Sequence, residues 1–264
     1  MNKKILIIIP FKFKELSRKR NLWYVLQNLT HFFKNENTIK ISLIEQDTQA
    51  KIEQELKKDF PEIYYDFIYN PLPFNRSWAF NVSINKYKKD FNYFVFSDAD
   101  VLMPKENYYK FLNLIEENKV IFKPVPALDI NQKTTEFIIQ NFPIFESEKI
   151  KKLNIPQSQR SFYKSAGIIC ATSLNILEKI GGWDERMIGW GREDDAFFQD
   201  ILNFKIPYIF PEMNSYHLYH EPSSEVNSRL LERNTMFLKE HIHPRTYNLL
   251  NLSKKGDPEK YKNY

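Results

Sequence analysis

The stretch Tyr93-Phe94-Val95-Phe96-Ser97-Asp98-Ala99-Asp100 runs from four large apolar side chains into two carboxylates one residue apart. An apolar run without alternation predicts a strand buried on both faces, the kind found in parallel α/β sheets. If strand geometry continues, Asp98 and Asp100 project from one face about 7 Å apart. Paired carboxylates with no adjacent base suit a divalent cation, because Mg²⁺ and Mn²⁺ take oxygen ligands and share them with a diphosphate. A bare Asp-x-Asp is common, however, and the alternative is a loop entrance in which Asp98 caps the next element.

Working outward, Ile5-Leu6-Ile7-Ile8-Ile9 is a second such run, stopped by Pro10. Residues 18–33 carry Leu22, Val25, Leu26, Leu29, Phe32 and Phe33 at helical spacing. A strand over residues 39–44 ends in Glu45-Gln46-Asp47, residues 49–59 read as an amphipathic helix, and residues 64–69 as a short strand. A helix opens at Asn75 and runs to about Tyr87. Farther on, residues 168–171 and 208–210 read as strands and 174–180 as a helix. Strand and helix alternate with short connections, which predicts an α/β fold: a Rossmann-like, mostly parallel central sheet flanked by helices. Ligands in such sheets sit beyond the carboxyl ends of the strands, where Pro10-Phe11-Lys12, Glu45-Gln46-Asp47 and Asp98-Ala99-Asp100 all lie. Residues 124–160 hold several Pro and no period, and are expected to be an irregular excursion or a mobile acceptor loop. No repeat or linker divides the chain, so residues 1–250 are expected to form one domain, and the polar residues 251–264 a frayed tail.

Composition excludes several classes. Hydrophobic residues are 42% and charged residues 27%, too apolar for wholesale disorder. Six Gly exclude collagen-like repeats, and a single Cys, Cys170, excludes an intrachain disulfide framework. No apolar run approaches the roughly 20 residues of a membrane span, and no signal-peptide pattern is present. A cytoplasmic protein is expected. The net charge of +5 is small and the Arg are dispersed, which ranks nucleic acid last among partners. Lys and Arg in the C-terminal third suit peripheral contact with the inner face of an anionic membrane.

The densest chemistry lies in Gly181-Gly182-Trp183-Asp184-Glu185 and Gly189-Trp190-Gly191-Arg192-Glu193-Asp194-Asp195. Three acids opening an apolar helix are helped by the helix dipole, which is explanation enough for them alone. Trp held between glycines, however, makes a platform for the C–H faces of a sugar, and a carboxylate beside it can accept the proton of an attacking hydroxyl. His217-Leu218-Tyr219-His220 offers imidazoles that suit Mn²⁺, Fe²⁺ or Zn²⁺. On spacing alone, a hydrogen-bonded surface segment explains it as well. His241 and His243 have no acidic neighbours in sequence and read as structural or exposed.

Taken in order, Phe74-Asn75-Arg76, Asn81-Val82, Phe94 through Asp100, Gly189 through Asp195 and His220-Glu221-Pro222 resemble the β1,4-galactosyltransferases and the related bacterial chondroitin-polymerase-type transferases. The likeness runs from the first strand to about Arg229. It implies a GT-A fold and transfer from a UDP-sugar donor with Mn²⁺ (or Mg²⁺) as cofactor. The resemblance implies that Asp100 and His220 ligate the metal, that His217 joins them where the relatives carry methionine, and that Asp98 lies at the ribose or the metal waters. It places Pro10, Phe11, Lys12, Asp47, Phe74 and Arg76 at the nucleotide. It places Trp190 and Gly191 at the sugars, makes Asp194 the catalytic base, and has Glu193 and Asp195 steady the acceptor. Arg192 departs from the family's glycine, which bears on the hinge motion of that loop. The implied activity is inverting transfer of a hexose or N-acetylhexosamine to a glycan or lipid-linked glycan, as in bacterial surface polysaccharide or lipopolysaccharide synthesis. Two other readings remain: a metal-dependent nucleotidyltransferase, which would need a Gly-rich loop after the first strand where Pro10 to Lys19 has no Gly, and a sugar-binding scaffold without turnover.

Overall fold

The computed structural model describes residues 3–152, 157–159, 167–221, 228–242, 252 and 255–262. Its elements in chain order are β1 (Ile5–Phe11), α1 (Leu16–Phe33), β2 (Ile39–Asp47), α2 (Glu53–Asp59), β3 (Tyr64–Tyr69), α3 (Arg76–Tyr87), β4 (Tyr93–Ser97), β5 (Val101–Leu102), α4 (Lys105–Asn113) and β6 (Val120–Ile121). There follow β7 (Val125–Ile130), α5 (Gln132–Asn141), α6 (Ser147–Lys152), β8 (Gln157–Gln159), β9 (Ile169–Ser173), α7 (Leu174–Ile180), α8 (Glu193–Asn203), β10 (Tyr208–Ile209), β11 (Glu212–His217) and α9 (Ser228–Ile242).

The large sheet has the order β10-β6-β9-β4-β1-β2-β3. β1 pairs in parallel with β2 and β4, and only β9 runs against its neighbours. β1 is central and wholly buried, which is why its sequence shows no alternation. Its side chains nevertheless divide by parity. Ile5, Ile7 and Ile9 join the core built with α1 and α4, whereas Leu6 and Ile8 join the core built with α3, α7 and α8. Helices thus cover both faces, as the strand–helix alternation predicts. Asn75 starts α3 by accepting the Trp78 N–H, an N-cap that also fixes where Arg76 leaves the helix.

A second sheet, β5-β11-β7-β8, stands beside the first. It corrects the expectation for residues 124–160: within that span β7, α5, α6 and β8 are regular elements. β7 runs parallel to β11, with Asp129 in register with His217. The expected frayed tail is likewise corrected. The Trp78 indole donates to the Asp257 carbonyl at 2.8 Å, the Tyr261 ring meets Trp78 edge-on at 4.8 Å, and Lys260 pairs with Glu185 at 2.8 Å. Gly256 (φ +70°) lies so close to α3 that a Cβ there would stand 2.4 Å from the Asn81 carbonyl oxygen. Two aromatic rings outweigh the polar composition of the segment. Among the described residues no helix is long and apolar enough to cross a membrane.

Candidate active site

At the carboxyl end of β4 the chain leaves strand geometry: Ala99 and Asp100 form a turn before β5. Ile168, a β-branched residue at φ +65°, gives its carbonyl to the Asp98 N–H at 2.8 Å and holds that turn. The two carboxylates therefore part. Asp98 meets the Arg76 guanidinium at 2.9 Å, while Asp100 faces two imidazoles.

Asp100, His217 and His220 place one ligand atom each within 4.8 Å of one another. The Nε2 atoms of His217 and His220 stand 3.3 and 3.2 Å from the two Asp100 oxygens. Cis ligands on an octahedral cation with bonds of about 2.1 Å lie about 3 Å apart, so the spacing fits a shared ion. Apart from the facing His217, buried Asp100 Oδ1 has no polar partner among the described residues, a donor set that fits a cation. Each imidazole has its other nitrogen occupied. His220 Nδ1 lies 2.7 Å from the Glu221 carbonyl and His217 Nδ1 lies 3.2 Å from Asp129. That arrangement leaves both Nε2 atoms on Asp100's side, protonated toward the carboxylate or, in the neutral rings, open to a cation. Burial opposes ionisation of Asp100, yet the facing His217 and His220, with Arg18, bring it below the usual carboxylate range.

The second half of the site is anionic and gathered on one cation. Arg76, buried, reaches Asp194 at 2.6 Å and Glu193 at 3.5 Å besides Asp98. Burial works against its charge, and the carboxylates, Asp194 foremost, more than restore it. Burial raises Asp194 above the ordinary Asp value, against the pull of Arg76. Burial, then the neighbouring Asp194, pushes Glu193 up to about 7. The three acids at the start of α8 are thus not equivalent: Asp195 turns outward to Arg192 at 3.1 Å.

One cleft of about 240 Å³ joins these halves, lined by Pro10, Phe11 and Lys12 after β1, by Phe74 and Arg76, by Asp98 to Asp100, by Trp190 and Glu193, and by both histidines. Asp194 touches it through Arg76 and keeps 23% of its side chain exposed. Asp47 is not in the lining; it pairs with Lys51 at 2.7 Å. Gly191 and Asp195 are also outside it. Lys14 and Arg18 line the cleft as well, although sequence reasoning passed over them. The basic run from Lys12 to Arg20 was their signal.

Trp190 is 57% exposed at the cleft mouth. The Gly189 N–H, at φ +79°, donates to the Phe74 carbonyl at 2.8 Å, tying the loop to the segment that leads into α3. α9 supports it from behind: buried Asn234 donates to the carbonyls of Ile188 (3.2 Å) and Gly191 (3.0 Å). Arg192 takes a left-handed conformation (φ +78°) and reaches Thr235 on α9 at 3.4 Å. Arg192 therefore ties the loop to a helix. The spacing of Leu231, Asn234, Leu238 and His241 was the sequence signal for that helix. His241 proves to have acidic company in space, Asp184 and Asp200, while His243 lies outside the described residues.

Residues 150–221, which include the Trp190 loop, the three acids and both histidines, match the family described as the N-terminal domain of galactosyltransferase. No curated protein sequence matches the chain. Its fold is similar to that of the catalytic domain of Drosophila β1,4-galactosyltransferase 7 in complex with xylobiose. Identity there is 15% and the TM-score 0.57, over 88% of this chain and 79% of that one. A mutant of the same Drosophila enzyme with manganese, UDP-Gal and xylobiose gives 15% and 0.51, over 83% and 71%. S. aureus TarS 1-349 in complex with UDP-GlcNAc gives 11% and 0.56, over 90% and 66%. The fold is that of the GT-A nucleotide-sugar transferases.

Proposed function

We propose that this chain, a GT-A glycosyltransferase of the β1,4-galactosyltransferase type, moves a hexose or N-acetylhexosamine from a UDP-sugar to a glycan hydroxyl with inversion. The observation that carries this reading is the meeting, in one cleft, of a cation-ready triad (Asp100, His217, His220) and of Arg76, which joins Asp98 and Glu193 on the lining to Asp194 outside it.

Asp100, His217 and His220 would hold Mn²⁺ or Mg²⁺, which when bound supplies Lewis-acid neutralisation of the departing diphosphate. Lys12, Lys14 and Arg18 bring further positive charge to that side of the cleft. Trp190 offers its exposed ring to the sugars. Glu193, whose carboxyl is pushed up by burial and by Asp194, can keep its proton to donate a hydrogen bond to the acceptor and hold its hydroxyl beside Asp194. Asp194 then takes the hydroxyl proton as the oxygen attacks the anomeric carbon opposite UDP. A base whose affinity for the proton is raised by burial does this better than an ordinary Asp. Holding donor and acceptor on one platform supplies the remaining acceleration.

The test needs no acceptor. UDP release is measured across a panel of UDP-sugars with Mn²⁺, Mg²⁺ or EDTA, for wild type and Asp100→Ala. Metal-dependent release from one donor, lost in the variant, is expected. Silence with every donor together with no UDP binding by calorimetry would move a non-catalytic binding role to the front.

The finer reading is a growing or lipid-linked surface-polysaccharide acceptor met at the inner face of a bacterial membrane. The net charge of +5 and the exposed Leu16 and Phe137 support it. Flotation with anionic liposomes, absent with neutral ones, is the expected result; equal recovery with both removes the membrane from the reading.

A further inference from the structure

His217 and His220 reach Asp100 by different supports. His220 is oriented by a main-chain carbonyl, that of Glu221, one residue away. His217 is oriented by a side chain from another strand, Asp129, whose carboxylate lies 3.2 Å from Nδ1. The pair is built into the second sheet: β7 and β11 run parallel with Asp129 and His217 in register, and on the other side His217 is in register with Val101, next to Asp100. One strand, β11, thus carries a histidine between β5, which directly follows Asp100, and β7, which carries a second carboxylate.

Resting on the reading of Asp100, His217 and His220 as metal ligands, we propose that Asp129 is the positioning residue of this centre: its carboxylate accepts the Nδ1–H of His217 and so fixes the tautomer and ring orientation that point Nε2 at the metal. The imidazole is a neutral ligand with two possible tautomers, and only the one protonated on Nδ1 offers Nε2. A carboxylate on Nδ1 selects that form and makes Nε2 the more basic nitrogen. Asp129 is partly exposed and faces the far nitrogen of His217, while the near nitrogen faces Asp100. An imidazole so supported also shifts the site's preference from Mg²⁺, which wants oxygen, toward ions that accept nitrogen.

The experiment is direct Mn²⁺ binding in the presence of UDP, followed by the EPR signal of the free ion, with pulsed EPR to read ¹⁴N couplings from ligating imidazoles. Asp129→Ala is expected to weaken Mn²⁺ binding about 10- to 100-fold. It should also reduce the ¹⁴N modulation from two imidazoles to one, while UDP binding without metal and the melting temperature stay at wild-type values. Asp129→Asn, isosteric, is the second variant in case alanine at this strand position does not fold, with a loss of at least threefold expected. Wild-type affinity and two-nitrogen modulation in the folded Asp129 variants, with binding abolished in Asp100→Asn, would overturn the role of Asp129 and leave the metal site standing. Absence of Mn²⁺ binding by the wild-type protein with UDP would instead overturn the metal reading on which the proposal rests.

Discussion

Asp194→Asn is expected to lower glycosyl transfer by about 10²- to 10⁴-fold, the usual contribution of a positioned general base, with UDP affinity nearly unchanged. The amide keeps the shape and still accepts a hydrogen bond from Arg76, now at 2.6 Å from Asp194, but it cannot take a proton. Nor should the substitution strand the buried guanidinium. Asp98 remains on Arg76, and Glu193, relieved of the repulsion from Asp194 that helps push its carboxyl up to about 7, ionises more readily and restores the local charge. Glu193 is also the rival for the base, since it lines the cleft and Asp194 does not. The two assignments separate by pH. Transfer that depends on ionised Asp194 falls as pH drops through a value above the ordinary Asp range, because burial raises that carboxyl, and Glu193→Gln retains this acid limb. Steady-state transfer against pH for both variants decides it. Nearly normal turnover in Asp194→Asn, or a matching loss of UDP affinity, sinks the assignment.

Legibility in the sequence followed burial. β1 and β4 are apolar on both faces, so each left an unbroken run that could be placed to within two residues. The acidic start of α8 and the Gly-Trp-Gly loop before it were readable because their residue types are rare in that combination. The second sheet was not. β11 reads Glu-Met-Asn-Ser-Tyr-His, and its half-exposed pattern carries neither the period of a strand nor that of a helix. β7 opens with Val-Pro-Ala, and a Pro demotes a strand reading. Consequently the histidines were visible as residues, but the carboxylate that orients one of them was not, since that contact exists only through the register of two strands distant in sequence. The parting of Asp98 from Asp100 was hidden for a related reason. It comes from a turn held by the carbonyl of Ile168, far along the chain, rather than from anything in the Asp-Ala-Asp stretch itself.

His241→Leu is expected to cost about 3–5 kcal/mol of stability, the usual effect of removing one member of a buried charge cluster. The His241 ring is fully buried at 0% exposure, with Nδ1 at 2.7 Å from Asp200 and Nε2 at 3.0 Å from Asp184. Burial alone disfavours its charge, but the hydrogen bonds to Asp184 and Asp200 prevail and push it up to about 9. The imidazolium is therefore present at neutral pH and bridges α9 to α8 and to the turn after α7. Because the folded value lies above the unfolded value of about 6.5, its contribution is complete below pH 6.5 and is lost as pH rises through 9; the displacement is worth roughly 3 kcal/mol. Asp184, held low by His241 and Arg186 in spite of burial, sets the opposite limb, stabilising above the ordinary Asp range and failing as acid protonates it. Leucine would fill the space but leave Asp200 without its partner, whereas Asp184 would keep Arg186 at 2.7 Å. Urea unfolding from pH 6 to pH 10 reads this out. The stability difference between wild type and variant should be greatest near pH 6 and shrink by pH 9.5, the common titrations of other groups cancelling in the difference. A pH-independent difference would show that the ring is held neutral. The consequence for transfer comes from position: α9 also carries Asn234, whose amide holds the Ile188 and Gly191 carbonyls, so loosening the helix at His241 releases the Trp190 loop. Acceptor-dependent transfer is then lost at urea concentrations where metal-dependent hydrolysis of the donor persists. Loss of both together would place the weak point in the large sheet instead.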